Sequence, residues 1–166
     1  MNQKNIAIGA LLVSVIALAV AGYSLNTLTT RLAAKAPQVL VYDLKITNFI
    51  MGNVSMSTDP TGNTFFVAAV VYPQDQIDKA ASVGTYTCDG TITNSAGDDI
   101  AMQILEITGQ GMIILNGPEA VGTETATGPI VGGTGQFTGA QGTYTLVGLT
   151  DTTARYTLTI TSTASS

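Results

Sequence analysis

Beyond residue 38 the chain is a succession of short strand-forming runs with breaks between them, and this pattern constrains the fold more than any other feature. The runs are 39–49, 64–72, 82–93, 100–108, 111–115, 125–131, 143–149 and 155–161. Val, Ile, Thr and Tyr recur in them, because branched and aromatic side chains suit a pleated surface. Gly, Pro, Asn and Asp fill the breaks, where reversals of the chain need them. The last two runs alternate cleanly. Tyr144 and Leu146 share one face, as do Tyr156, Leu158 and Ile160. Thr64–Tyr72 is nearly all apolar and reads as a strand covered on both faces. Thr125–Val131 contains Gly128-Pro129, which predicts a bulge or an edge position. No helical periodicity follows residue 38, apart from a turn over 74–81. Eight runs at near-regular spacing predict an all-β fold, a sandwich or an eight-stranded antiparallel barrel. A closed barrel of that size has no sheet edges and holds side chains or one small ligand.

The first 32 residues follow a different pattern. Ile6–Ala21 is an uninterrupted apolar run behind Lys4, and the apolar character continues to Leu28. That length spans about 30 Å of hydrocarbon. Leu11, Val15, Leu18, Gly22 and Leu25 fall on one helical stripe, a membrane-anchor face on which small residues permit close helix packing. Ala19-Val20-Ala21 also fits a small-x-small cleavage site, so a cleaved secretory signal is the competing reading. The expectation is one N-terminal transmembrane α-helix over 1–32, a linker over 33–38, the barrel over 39–161 and a tail over 162–166. The barrel then lies on the extracytoplasmic side, periplasmic or extracellular, with membrane lipid as one partner.

Charge separates the same two regions. Lys4, Arg31 and Lys35 make the leader +3, whereas the remainder sets three cations against eleven acids, a net of −8. An acidic domain repels nucleic acid and anionic lipid heads, so nucleic acid is excluded as a partner. With no His in the chain, His-based triads and His metal sites are excluded. A single Cys excludes an intrachain disulfide and multi-cysteine metal sites. No cofactor and no metal is expected.

Val131–Tyr144 is the most informative stretch. Gly133-Thr134-Gly135 opens like a dinucleotide fingerprint, but Thr138 occupies its third glycine position and no helix pattern follows. The glycines read better as a structural turn motif, with Gly132, Gly133, Gly135, Gly139 and Gly142 permitting two tight reversals around Phe137. This run resembles the Gly-Gly-Thr-Gly-aromatic-x-Gly-Ala-x-Gly signature of the allene oxide cyclase and dirigent barrel superfamily. Val83–Cys88 and Gly109-Gln110-Gly111 resemble its bacterial branch. The resemblance implies an eight-stranded antiparallel barrel, often oligomeric, with a mostly apolar cavity and no metal or organic cofactor.

Few side chains carry chemistry. Tyr86, Cys88 and Glu106 are the candidate polar groups of a cavity. Cys88 also reads as a small buried hydrophobe. Alternation against Leu105 and Ile107 turns Glu106 toward solvent unless the cavity claims it. Arg155 is expected to pair with a surface acid, and Asp98-Asp99 to sit in a solvated turn. This poverty of catalytic groups favours a non-catalytic, membrane-anchored accessory subunit of a larger membrane protein complex, or a self-associating barrel. The alternatives are a cyclase-like or dirigent-like barrel binding a small apolar molecule, and an extracellular filament subunit.

Overall fold

Every strand of the barrel is paired on both sides, so no edge exists to template aggregation. The computed structural model describes residues 36–52, 59–119 and 124–162. Its strands are β1 (Gln38–Gly52), β2 (Thr64–Pro73), β3 (Gly84–Ile92), β4 (Asp99–Ile107), β5 (Gly111–Gly117), β6 (Thr125–Gly133), β7 (Gln141–Thr150) and β8 (Thr153–Ser162). They run in chain order, each antiparallel to the next, and β1 closes the barrel on β8. The eight runs expected from sequence are these eight strands, shifted by a few residues at their ends.

The proposed anchor over 1–32, with Leu11, Val15, Leu18, Gly22 and Leu25, lies outside the described residues, as does the tail beyond Ser162. Among the described residues no helix is long and apolar enough to cross a membrane.

One strand expectation needs correction. β2 is not covered equally on both faces: Phe65, Val67, Ala69 and Val71 are buried, and the residues between them are half-buried. Small outward residues such as Ala68 made that run look uniform. Of the two readings of β6, the bulge holds and the edge does not. The strand pairs with β5 and β7, and its register against β5 shifts between Ile114 and Leu115, whose partners Gly132 and Ile130 leave Val131 over.

Alternation fills the interior. Leu44, Val67, Tyr86, Leu105, Leu115, Leu146, Tyr156 and Leu158 are among the buried side chains. At roughly 1.5–3 kcal/mol for each large apolar side chain withdrawn from water, this core supplies the main stabilisation.

The outer wall carries its own fixed charges. Arg155 on β8 sits opposite Asp43 on β1, and its guanidinium holds both Asp43 oxygens at 2.6 and 2.9 Å. Asp75, in the turn after β2, takes a further bond from Arg155 at 2.6 Å, and its backbone N–H donates to Asp43 at 2.6 Å. Lys45 pairs with Asp78 of the same turn. Burial pushes the Asp43 carboxyl up, but the bonds from Arg155 and the Asp75 backbone outweigh it and leave the group below its ordinary value. The partner expected for Arg155 is therefore an acid that the 74–81 turn covers over.

The connections fall into two sets, one at each end of an up-and-down barrel. One end holds the β2–β3, β4–β5 and β6–β7 connections. There the glycine motif forms a 3-10 turn, Gly135–Phe137, that buries the Phe137 ring. Gly135 has φ +59°, and a Cβ on it would run into the Gln110 carbonyl. Gly133 lies against the Phe137 backbone and leaves no space for a side chain. The other end holds the remaining connections, including the tight β7–β8 hairpin, where the Thr150 and Thr153 hydroxyls meet at 2.7 Å.

Candidate functional site: a polar chain below an apolar mouth

The hairpin end opens into a cavity of about 210 Å³. Leu44, Ile46, Phe49, Val67 and Ala154 form much of its wall, and Tyr86 and Glu119 supply polar groups. Sites for drug-sized molecules measure about 300–1,000 Å³, so this one suits a smaller guest. A wider cavity of about 460 Å³ lies beside it at the same end, lined by Asp98, Asp99, Glu119 and Glu124 among others. Glu119 belongs to both.

From Glu119 a chain of hydrogen bonds enters the core. The Glu119 Oε2 and the Tyr86 hydroxyl lie 2.5 Å apart. The Tyr86 and Tyr156 hydroxyls are 3.0 Å apart. Tyr156 donates to Gln103 Oε1 at 2.5 Å. Gln103 Nε2 reaches the Gly117 carbonyl, the Pro118 carbonyl and the Tyr144 hydroxyl, each at 3.2 Å. Tyr144 in turn donates to the Pro118 carbonyl at 2.9 Å. Gln103, Tyr86, Tyr144 and Tyr156 are all at most 1% exposed. The rings pack as they bond, with Tyr156 tilted against Tyr86 at 5.6 Å and against Tyr144 at 5.7 Å. Buried polar groups this close to fully paired rigidify a core, whereas unpaired ones destabilise it.

The Gly117 and Pro118 carbonyls only accept, so the Gln103 nitrogen faces them and its oxygen faces Tyr156. Tyr156 spends its one hydrogen on that oxygen. Tyr86 donates to Glu119 Oε2, the shorter of its two hydroxyl contacts. The Tyr86 oxygen thus links the Glu119 carboxyl to the inner part of the chain.

Burial pushes the Glu119 carboxyl above its ordinary value; hydrogen bonding with Tyr86 and Cys88 acts against this, and the Asp99 charge adds to the rise. Asp99 is itself raised by burial, although its carboxylate accepts the Glu119 backbone N–H at 2.9 Å. Burial also raises the Cys88 thiol and the Tyr86 and Tyr156 hydroxyls, and takes Tyr144 up to about 12. None of these is a nucleophile at neutral pH. The arrangement offers one largely buried carboxyl, Glu119, at the edge of an apolar pocket.

Of the three candidate cavity groups, Tyr86 lines the pocket and Cys88 lies beside it, fully buried and hydrogen-bonded to Glu119. Glu106 does not belong to the site. Leu105 and Ile107 claim the inner face of β4, and alternation puts Glu106 outside, exposed. Sequence reasoning missed Gln103 and Glu119. Gln103 carried a signal, being polar on the Ala101–Leu105–Ile107 face. Glu119 follows Pro118 in a connection, where no periodicity marks a side chain as inward. Among the described residues no group of three or more His, Cys, Asp or Glu side chains is placed to hold a metal.

Among solved structures the barrel is similar to a pyocyanin demethylase, at 18% identity and a TM-score of 0.63, over 75% of this chain and 100% of that one. It is also similar to a pterocarpan synthase dirigent protein, at 14% identity and a TM-score of 0.59, over 80% of this chain and 90% of that one. At these identities the likeness is one of fold, an eight-stranded barrel, and it rests on the TM-scores. No protein-family model matches the chain, and no curated protein matches it.

Proposed function

We propose that this barrel binds a small, largely apolar molecule in the mouth pocket, as a cyclase-like or dirigent-like barrel. The observation that carries this reading is the pocket of about 210 Å³, apolar over most of its wall, with Tyr86 and Glu119 as its polar groups. Pockets of that composition are the default sites for organic ligands. Both structural neighbours are named for chemistry on organic molecules, pyocyanin in one and pterocarpan in the other. The test is methyl NMR of the barrel titrated with tert-butylbenzene. Saturable shifts at Leu44 and Val67, abolished when Ala154→Phe fills the pocket, are the expected result. Wild-type protein that shows no saturable shifts there overturns the reading.

A second reading is an anchored accessory subunit, with 1–32 holding the barrel at the extracytoplasmic face of a membrane. One observation favours it. Ile50, Ile100 and Met102 on the outer wall are 52%, 53% and 54% exposed. The pairings Ile50↔Phe66, Phe66↔Asp89 and Asp89↔Met102 put Ile50, Phe66 and Met102 in one row across four strands, with Asp89 between the last two. Neighbouring exposed apolar side chains are the surface that protein contacts use. Light scattering of the full chain in mild detergent tests this reading. A larger assembly that Ile50→Lys with Met102→Glu dissolves is expected, and a monomer removes the basis for it.

A further inference from the structure

We infer that the ligand of the mouth pocket is a small organic cation, an alkylated ammonium or a cationic ring, held against Glu119. This deepens the pocket reading and rests on it. The described cations are committed to the outer wall. Lys45 pairs with Asp78, Arg155 with Asp43 and Asp75, and Lys79 donates to the Asp75 carbonyl. Among the described residues none lies with Glu119. The groups facing Glu119 are Tyr86 and Cys88 from β3, Asp99 from β4, and Tyr144 and Tyr156 from β7 and β8. All are neutral or acidic. An anionic guest would meet only neutral or negative groups there.

A cation finds the opposite. The Phe49 and Tyr86 side chains line the pocket, and aromatic faces attract poorly hydrated cations most strongly where water is excluded. Asp98, Asp99 and Glu124 line the adjoining cavity, and an acidic approach raises the local concentration of cations. Glu119 then supplies the counter-charge, its carboxylate held in place by the hydrogen bond that the Tyr86 hydroxyl donates. Burial raises the free carboxyl, so affinity for the cation rises with pH as Glu119 ionises.

The test compares phenyltrimethylammonium with tert-butylbenzene, its uncharged counterpart of the same shape, by methyl NMR at neutral pH. The cation is expected to bind at least about tenfold more tightly. Glu119→Gln keeps an oxygen that accepts from Tyr86, so it preserves the fold while removing the preference. Equal binding of the two probes overturns the inference and leaves the pocket reading standing. A preference that survives in Glu119→Gln also overturns it. Failure of both probes to bind the wild-type protein overturns the pocket reading itself.

Discussion

Where β6 turns into β7, a run of glycines brings backbone against backbone and the Phe137 ring fills the space beneath. Where β7 turns into β8, Asp151 and Thr152 make a minimal connection and the space beneath stays open as a pocket. The first end is filled. The second holds a buried carboxyl, three tyrosines and a glutamine joined in one hydrogen-bonded chain. The difference shows that closure and function are divided along the barrel axis. One end secures the fold, so the other can keep unfilled volume and a buried carboxyl that burial penalises.

Substitutions can break this division or sharpen it. Phe137→Ala empties the closed end and is expected to cost about 3–5 kcal/mol in chemical denaturation. A loss under ~1 kcal/mol shows that Phe137 does not hold that end. Tyr156→Phe leaves Gln103 Oε1 without its donor and is expected to cost about 1–3 kcal/mol, with the barrel still folded. Gly135→Ala places a Cβ at φ +59° against the Gln110 carbonyl and is expected to cost about 1–2 kcal/mol.

Acid and base act on different parts of the molecule. A carboxyl raised by folding keeps its proton longer in the folded chain. Its contribution is complete below the ordinary Glu value and declines as pH rises through the raised value. Asp43 is lowered, so its contribution is complete above the ordinary Asp value and is lost as pH falls through the lowered one. Denaturation across pH is expected to show both limbs. Glu119→Gln should flatten the alkaline-side decline and leave the acid limb intact; a decline that persists assigns it elsewhere. The smallest effect is expected at Gly132→Ala. Nothing lies within 4 Å of a Cβ there, so the change should stay within about 0.5 kcal/mol.

That last contrast shows what the sequence could carry. Gly132 and Gly135 belong to one motif and look alike in the string, yet only Gly135 has a steric reason to be glycine. The eight strands were legible because alternation and turn residues are local signals, and the last two strands alternate as their sequence does. Glu106 and Glu119 were harder to rank. Alternation correctly turned Glu106 outward. Glu119 reaches the core through a connection; its partner Tyr86 comes from β3, and Tyr156, which Tyr86 meets in turn, comes from β8. Only closure of the barrel brings those strands to one site. The turn over 74–81 was visible, but its cover over Asp43 and Arg155 was not, because two Asp residues there adopt positive φ, Asp75 at 60° and Asp78 at 58°.

The pairing of β1 with β8 also sets a schedule. In synthesis the first strand emerges well before the last, and β1 needs both β2 and β8 as neighbours. Closing so long a loop makes the final pairing slow relative to the local hairpins. Until the final strand is made, one side of β1 displays unpaired amide and carbonyl groups. A ribosome that stalls before Thr153 therefore leaves a seven-stranded sheet with open edges at β1 and β7, the kind of edge that pairs with other chains, and the ten residues of β8 close it.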